Sequence, residues 1–333
     1  MWETIYGRRE LVNAMQKAIS SRQTAHAYLF YGPEGIGKKT FARVLAAALN
    51  CTAAGTKPCG DCSSCRKVLQ KTHPDIIWLA PNGKTIKLEQ IRNLKRQAYL
   101  QPQEGRLQVF ILEKADTMTE EAANSLLKIL EEPPETSVFI LLAWHPAALP
   151  STVASRCQLY AVSRLDKESM EKLLAERGLE EQASLAEILA WSEGIPGRAM
   201  LLADKTARQA LYDKAVDYLS RLAETDTVSL LSAELAEERE LPGLVDAAAL
   251  VLRDLLVRQS VSEPEGLLMS ASLQLPDDLA AKWPPRACRT ALRIALSLLK
   301  DMQKPVNVRI LLERALVEIK EVLTHADSGR STV

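Results

Sequence analysis

The chain has 333 residues, 47% of them hydrophobic, which is enough for two or three domains that each bury a core. Lys+Arg and Asp+Glu both total 42, so no molecule-wide positive field draws it onto nucleic acid by itself. It holds no stretch of about 18 apolar residues, and the opening "MWETIYGRRE" lacks the apolar core of a secretory signal; the expectation is a cytoplasmic protein with no membrane partner.

Along residues 1–163, short apolar runs alternate with helical patterns. The runs "HAYLFYG", "DIIWLA", "QVFILEKAD", "SVFILLAW" and "CQLYAV", beginning at residues 26, 75, 108, 137 and 157, predict buried parallel strands in a doubly wound α/β sheet. Strand signals stop at Leu165. "DKESMEKLLAERG" and "EEQASLAEILAWSEG" predict two short amphipathic helices ended by Gly178 and Gly194, a small helical domain over 164–204. Residues 205–325 are Leu- and Ala-rich with helical periodicity and predict a third, all-helical domain; the polar end, 326–333, predicts a disordered tail. The expected fold class is therefore α/β followed by all-α.

The stretch "YGPEGIGKKT" has the spacing of a phosphate loop, set between a strand and a helix, with backbone N–H groups of Gly35, Gly37 and Lys38 facing phosphates and Gly32 opening the turn. Where a Ser or Thr hydroxyl normally holds Mg²⁺, this chain has Lys39, and Thr40 lies about 100° further round the helix. The matching strand should end in Asp-Glu, one carboxylate for the metal and one to polarise water; it ends in Glu113-Lys114. ATP binding at the loop is thus in doubt and hydrolysis is expected to be lost. Lys39 or Lys114 could pair with Glu113 and put an ammonium in the metal's place. Asp116 could slide into the missing role, but three positions along a strand end reverses its facing.

Cys51, Cys59, Cys62 and Cys65 lie within fifteen residues, spaced x7, x2, x2, while Cys157 and Cys288 stand far off. Four thiolates so placed can surround one tetrahedral ion, the alternative being free thiols in a surface insertion over 51–65. His73, ahead of Pro74, is expected to end a helix rather than ligate.

Together "AHAYLFYGPEGIGKKTFARVLAAALNC", the cysteine cluster, "AANSLLKILEEPPETSVFILLA" and "LPSTVASRC" resemble, in order, the clamp-loader subunits of bacterial DNA polymerase III, members of the AAA+ class. The resemblance covers most of residues 1–162. It implies an AAA+ domain, a helical lid and a helical collar used in oligomerisation, and structural zinc on the four cysteines rather than an iron–sulfur cluster. It implies partners: the gamma/tau and delta subunits in a hetero-oligomer, the sliding clamp, and primed DNA through the assembly. It also implies that Arg156 of "ASRC" is an arginine finger acting in trans on a neighbour's ATP site, the alternative being an arginine that caps a short helix or pairs with a local carboxylate. Trp144-His145 stands where a phosphate-sensing polar residue is expected, and Arg198 lies near the lid's phosphate-sensing arginine with Pro196-Gly197 disturbing the register, the alternative being a solvated charge at a helix start.

Three functions follow: a non-hydrolysing clamp-loader subunit; an active, gamma/tau-like ATPase of the same machine, which Lys39 and Lys114 oppose; and a stand-alone zinc-dependent nucleic-acid-binding module. For the last, residues 66–106 hold nine Lys/Arg against three Asp/Glu, although such a run is ordinarily a solvated helix face.

Overall fold

In a computed structural model, which describes residues 1–179, 185–225, 227–238, 240–261, 275–302 and 307–328, the chain divides into two compact units. One comprises 1–181 and 189–199, the other 182–188 and 200–333.

The first unit begins with α1 (Arg9–Ser20), β1 (Ala27–Tyr31), α2 (Lys38–Asn50), α3 (Ser63–Leu69) and β2 (Ile76–Leu79). It continues through α4 (Leu88–Ala98), β3 (Gln108–Leu112), α5 (Glu120–Glu131), β4 (Ser137–Ala143), α6 (Ser151–Ala154) and β5 (Gln158–Ala161). The five strands form one parallel sheet in the order β2-β3-β4-β1-β5, with Leu29 beside Leu141 and Phe110 beside Phe139 across the ladders. The expected doubly wound sheet is present. Because side chains alternate along a strand, Phe30, Val109, Ile111 and Ile140 pack with Phe41 and Leu45 of α2, while Leu29, Phe110, Leu112 and Leu141 pack with Ile91 of α4 and Leu126 of α5. Both faces are covered, which is why β3 and β4 read as unbroken apolar runs.

The expectation of a buried fifth strand needs correcting. β5 is an edge strand whose residues are exposed or half-exposed, with Leu159 45% exposed, because only β1 flanks it. An apolar run alone does not distinguish an edge from a centre.

Past the sheet lie α7 (Lys167–Ala175), α8 (Leu185–Ser192) and α9 (Pro196–Ala203). Asp166 caps α7 by accepting the Ser169 N–H at 2.7 Å, and Gly178 and Gly194 have positive φ in the turns that follow α7 and α8. The stretch 180–184, within the second predicted helix, lies outside the described residues.

The second unit is helical throughout its described residues: α10 (Lys205–Glu224), α11 (Val228–Ala236), α12 (Leu241–Ser260), α13 (Asp277–Lys282), α14 (Pro285–Asp301) and α15 (Val308–Ser328). Its largest buried side chain, Trp283, donates its indole N–H to the Leu219 carbonyl at 3.2 Å. α15 continues through 326–328, which were expected to begin the disordered tail, since its helical pattern runs on for another turn; 329–333 lie outside the described residues.

Candidate functional site

The phosphate loop is built as its spacing predicts. Gly32, Gly35 and Gly37 all have φ between +77° and +148°, and Gly37, at +104°, is the N-cap of α2, a conformation that a side chain would strain. The loop's cations, however, find partners within the chain. Lys38 donates from Nζ to the Gly32 carbonyl at 2.6 Å and the Pro33 carbonyl at 2.9 Å, and burial pushes its pKa down to about 8. Lys39 Nζ sits 2.5 Å from Glu113 Oε2, with the Glu113 side chain only 17% exposed. Of the two lysines considered for that carboxylate, Lys39 takes it; Lys114 pairs instead with Glu34 at 3.1 Å.

The reversed facing expected of Asp116 from strand alternation does not apply. β3 ends at Leu112 and residues 115–117 form a 3₁₀ turn, so alternation no longer applies, and the Asp116 carboxylate is close enough to favour the charged form of Lys38. Trp144 contributes its carbonyl, which accepts the Gly32 N–H at 3.0 Å, and His145 turns its Nδ1 to the Ala147 N–H at 3.1 Å.

Two participants were not visible in the sequence. Arg8 is buried and donates from Nη2 to the Ile36 carbonyl at 2.5 Å and from Nε to the Ser163 carbonyl at 3.1 Å; burial lowers its pKa to about 10. The Gly197 N–H donates to the Gly35 carbonyl at 2.9 Å, and a Cβ on Gly197 would lie 2.8 Å from Gly35 Cα. The segment 195–197 meets the loop, Gly197 through its backbone and Ile195 through its side chain, while the Arg198 guanidinium lies 3.7 Å from Glu193. No pattern in the chain signals either contact, since each joins segments well over twenty residues apart.

The four cysteines converge. Their sulfurs all lie within 4.8 Å of one another, close to the ~3.8 Å separation expected when each is ~2.3 Å from a central tetrahedral ion. Backbone N–H groups point at sulfur: Cys59 N–H at Cys51 Sγ (3.4 Å), Cys62 N–H at Cys59 Sγ (3.3 Å) and Cys65 N–H at Cys62 Sγ (3.4 Å). The Cys62 N–H lowers the Cys59 pKa, which suits a thiolate ligand. The geometry and the donor set fit one metal ion. Asn50, the last residue of α2, anchors the run into Cys51 by bonding the Leu107 carbonyl and the Arg106 and Leu107 N–H groups. Trp2 donates its indole N–H to the Lys57 carbonyl at 2.7 Å and packs on Phe41, tying the chain's opening residues to the insertion.

His73 is not a helix end. It is buried, its Nδ1 accepting the Asp75 N–H at 3.2 Å and its Nε2 3.1 Å from Ser64 Oγ, and it is outside the sulfur cluster. Asp75 accepts the N–H groups of Gln103, Glu104 and Gly105 at 2.6–2.8 Å; burial pushes its pKa up, but these bonds, with Gly105 foremost, bring it below the usual carboxylate value.

Arg156 belongs to neither cluster. It follows α6, where Nη1 donates to the Thr152 carbonyl at 2.7 Å and Nη2 lies 2.5 Å from Glu131 Oε1. In the basic run, Lys67 pairs with Glu104 and Arg96 bonds Asn93, while the outward side of α4 carries Arg92 and Arg96 as a solvated face. Among the described residues, no helix is long and apolar enough to cross a membrane.

Residues 7–166 match the family described as DNA polymerase III, delta subunit. The chain is 36% identical over 251 residues to the delta′ subunit of DNA polymerase III from Pseudomonas aeruginosa, covering 74% of this chain and 76% of that one. It is 27% identical over 347 residues to the tau subunit from Bacillus subtilis, covering 96% of this chain but spanning only 61% of the longer tau. Among solved structures, a DNA polymerase III gamma subunit-related protein from Thermotoga maritima aligns over 93% of this chain and 99% of its own at 18% identity, with a TM-score of 0.42.

Proposed function

This chain belongs to the delta′ family of DNA polymerase III, and from that premise we propose that it is a clamp-loader subunit that hydrolyses no ATP itself and completes the ATP site of a neighbouring subunit. The observation that carries this reading is the Lys39–Glu113 pair. An ammonium stands where a hydroxyl and a carboxylate would share Mg²⁺, and Lys114, engaged with Glu34, is no general base. The chemistry then passes to Arg156. A guanidinium presents its donors in a planar fork that matches phosphate oxygens and offsets charge developing on a transferred γ-phosphoryl group, which lysine does poorly.

In this reading zinc occupies Cys51, Cys59, Cys62 and Cys65 and pins the insertion, supplying structure and no chemistry. Residues 164–204 act as a lid and 205–325 as a collar that joins the gamma/tau and delta subunits in the cytoplasm. The assembly handles the sliding clamp and primed DNA.

Two measurements test it. The purified chain should show no Mg²⁺-dependent ATP turnover above background; robust turnover would favour the gamma/tau-like reading, which the intact glycine geometry of the loop and the long match to tau support. In the assembled loader, Arg156→Ala should lower turnover about 10-fold or more at the one site it serves, with folding and metal content unchanged. Undiminished turnover and loading would leave only a scaffold.

A further inference from the structure

α5 ends in an acidic cluster, Glu131 and Glu132 followed by Glu135, at a helix C-terminus where the backbone dipole disfavours negative charge. Local stability gives no reason for carboxylates there. One of them has a particular neighbour: Glu131 Oε1 lies 2.5 Å from Arg156 Nη2, across 25 positions of sequence, while the Thr152 carbonyl takes Nη1 at 2.7 Å. These two acceptors lie on different elements, the end of α5 and α6. Together they fix the plane of the guanidinium, since a fork held at both terminal nitrogens cannot rotate about its stem.

The hold is partial. An arginine has five N–H donors and these bonds use two, leaving Nε–H and one hydrogen on each terminal nitrogen uncommitted among the described residues. The Arg156 side chain is 34% exposed and that of Glu131 47% exposed, so the pair is reached by solvent and can exchange partners.

We propose that Glu131 is a positioning residue for Arg156: it sets the guanidinium in the orientation in which its free donors meet the phosphates of a neighbouring subunit's nucleotide. This rests on the arginine-finger reading above. Glu131 touches no substrate; it acts through Arg156, by removing the rotational freedom that a long exposed side chain would otherwise lose on reaching the phosphates.

The test is a double-mutant cycle in the fully assembled loader, reading ATP turnover and the KM for ATP with clamp and primed DNA present. Glu131→Ala, a substitution that favours an exposed helix end, should lower turnover about threefold to tenfold at the one site Arg156 serves, read as a part of the loss that Arg156→Ala produces in the same complex, and leave KM unchanged, because the lost orientation matters in the transition state. Glu131→Gln keeps an acceptor oxygen and should retain most of the rate. In the Arg156→Ala background, Glu131→Ala should change nothing further. A full-rate Glu131→Ala complex, beside an impaired Arg156→Ala complex, overturns the positioning role and spares the finger. A loss of equal size in both backgrounds means that Glu131 acts through the fold, and also overturns it. An unimpaired Arg156→Ala complex overturns the finger reading itself, and this inference with it.

Discussion

The phosphate loop and the cysteine cluster are both ligand-shaped, and they treat their own polar groups in opposite ways. In the loop every cation has found a partner within the chain: Lys38 on two carbonyls, Lys39 on Glu113, Lys114 on Glu34, Arg8 on Ile36 and Ser163. In the cluster four sulfurs crowd within 4.8 Å, and backbone N–H groups of Cys59, Cys62 and Cys65 point at them. The loop satisfies its charged groups from within the chain, whereas the cluster keeps four potential ligand atoms converged on one point. The difference lies in side-chain partnerships, since both backbones are in good order.

The sharpest way to break this contrast is to take away the metal. Chelation, or Cys59→Ser with Cys62→Ser, should reduce the zinc content from about one equivalent to near none and melt the insertion, because binding energy at a structural site is folding energy; metal analysis with a thermal scan reads both, and less than half an equivalent in untreated protein would end the zinc reading. The loop should not respond to chelation at all.

A second, smaller effect is expected at Gly197. A Cβ there meets Gly35 Cα at 2.8 Å, so Gly197→Ala should destabilise the first unit by about 1–3 kcal/mol in a denaturant titration. A neutral result would mean that the segment yields freely and that the loop is not closed from above.

Smaller again is Lys39→Met. Glu113, mostly buried, loses its partner while Lys39 was largely solvated, so the cost should be about 0.5–1.5 kcal/mol in the same assay. Added Mg²⁺ should recover part of it only if the carboxylate can still hold a metal.

The least effect is a pH dependence beside the cluster. Burial lowers the His73 pKa below the ordinary 6.5, so the folded state binds fewer protons; stability is full above about pH 6.5 and falls as pH drops toward the folded value. Asp75, held low by Gly105, Gln103 and Glu104, adds a second loss below the ordinary carboxylate value of about 3.9. Denaturation midpoints for His73→Asn should lack the first step and keep the second.

Much of this was legible in the chain. Glycine spacing between a strand and a helix marked the loop, clustered cysteines marked a candidate metal site, and unbroken apolar runs marked the central strands, because each depends on neighbours in sequence. The Lys39–Glu113 pair was foreseeable as one of two options, and only the turn after β3 decided which lysine reached the carboxylate. Arg8, Asn50, Glu131 and Gly197 were not legible. Each acts through a partner brought near by the fold, 28, 57, 25 and 162 positions away. Asp116 was misjudged for the related reason that a periodicity was carried past the end of its strand.

The contact between Gly35 and Gly197 also bears on descent. Two backbones have approached until a Cβ at Gly197 would meet Gly35 Cα at 2.8 Å and one at Gly35 would press on Gly197 and Ile195 at 3.3 Å, and Gly35 additionally holds a φ of +77°. A lineage can drift into such a contact one codon at a time, each glycine admitting a closer approach. It cannot leave the same way, for a single replacement at either position meets the other's main chain before it gains any use. The contact works as a ratchet: whatever side chains stand at 39, 113 and 114, the backbone of Gly197 still lies against the loop.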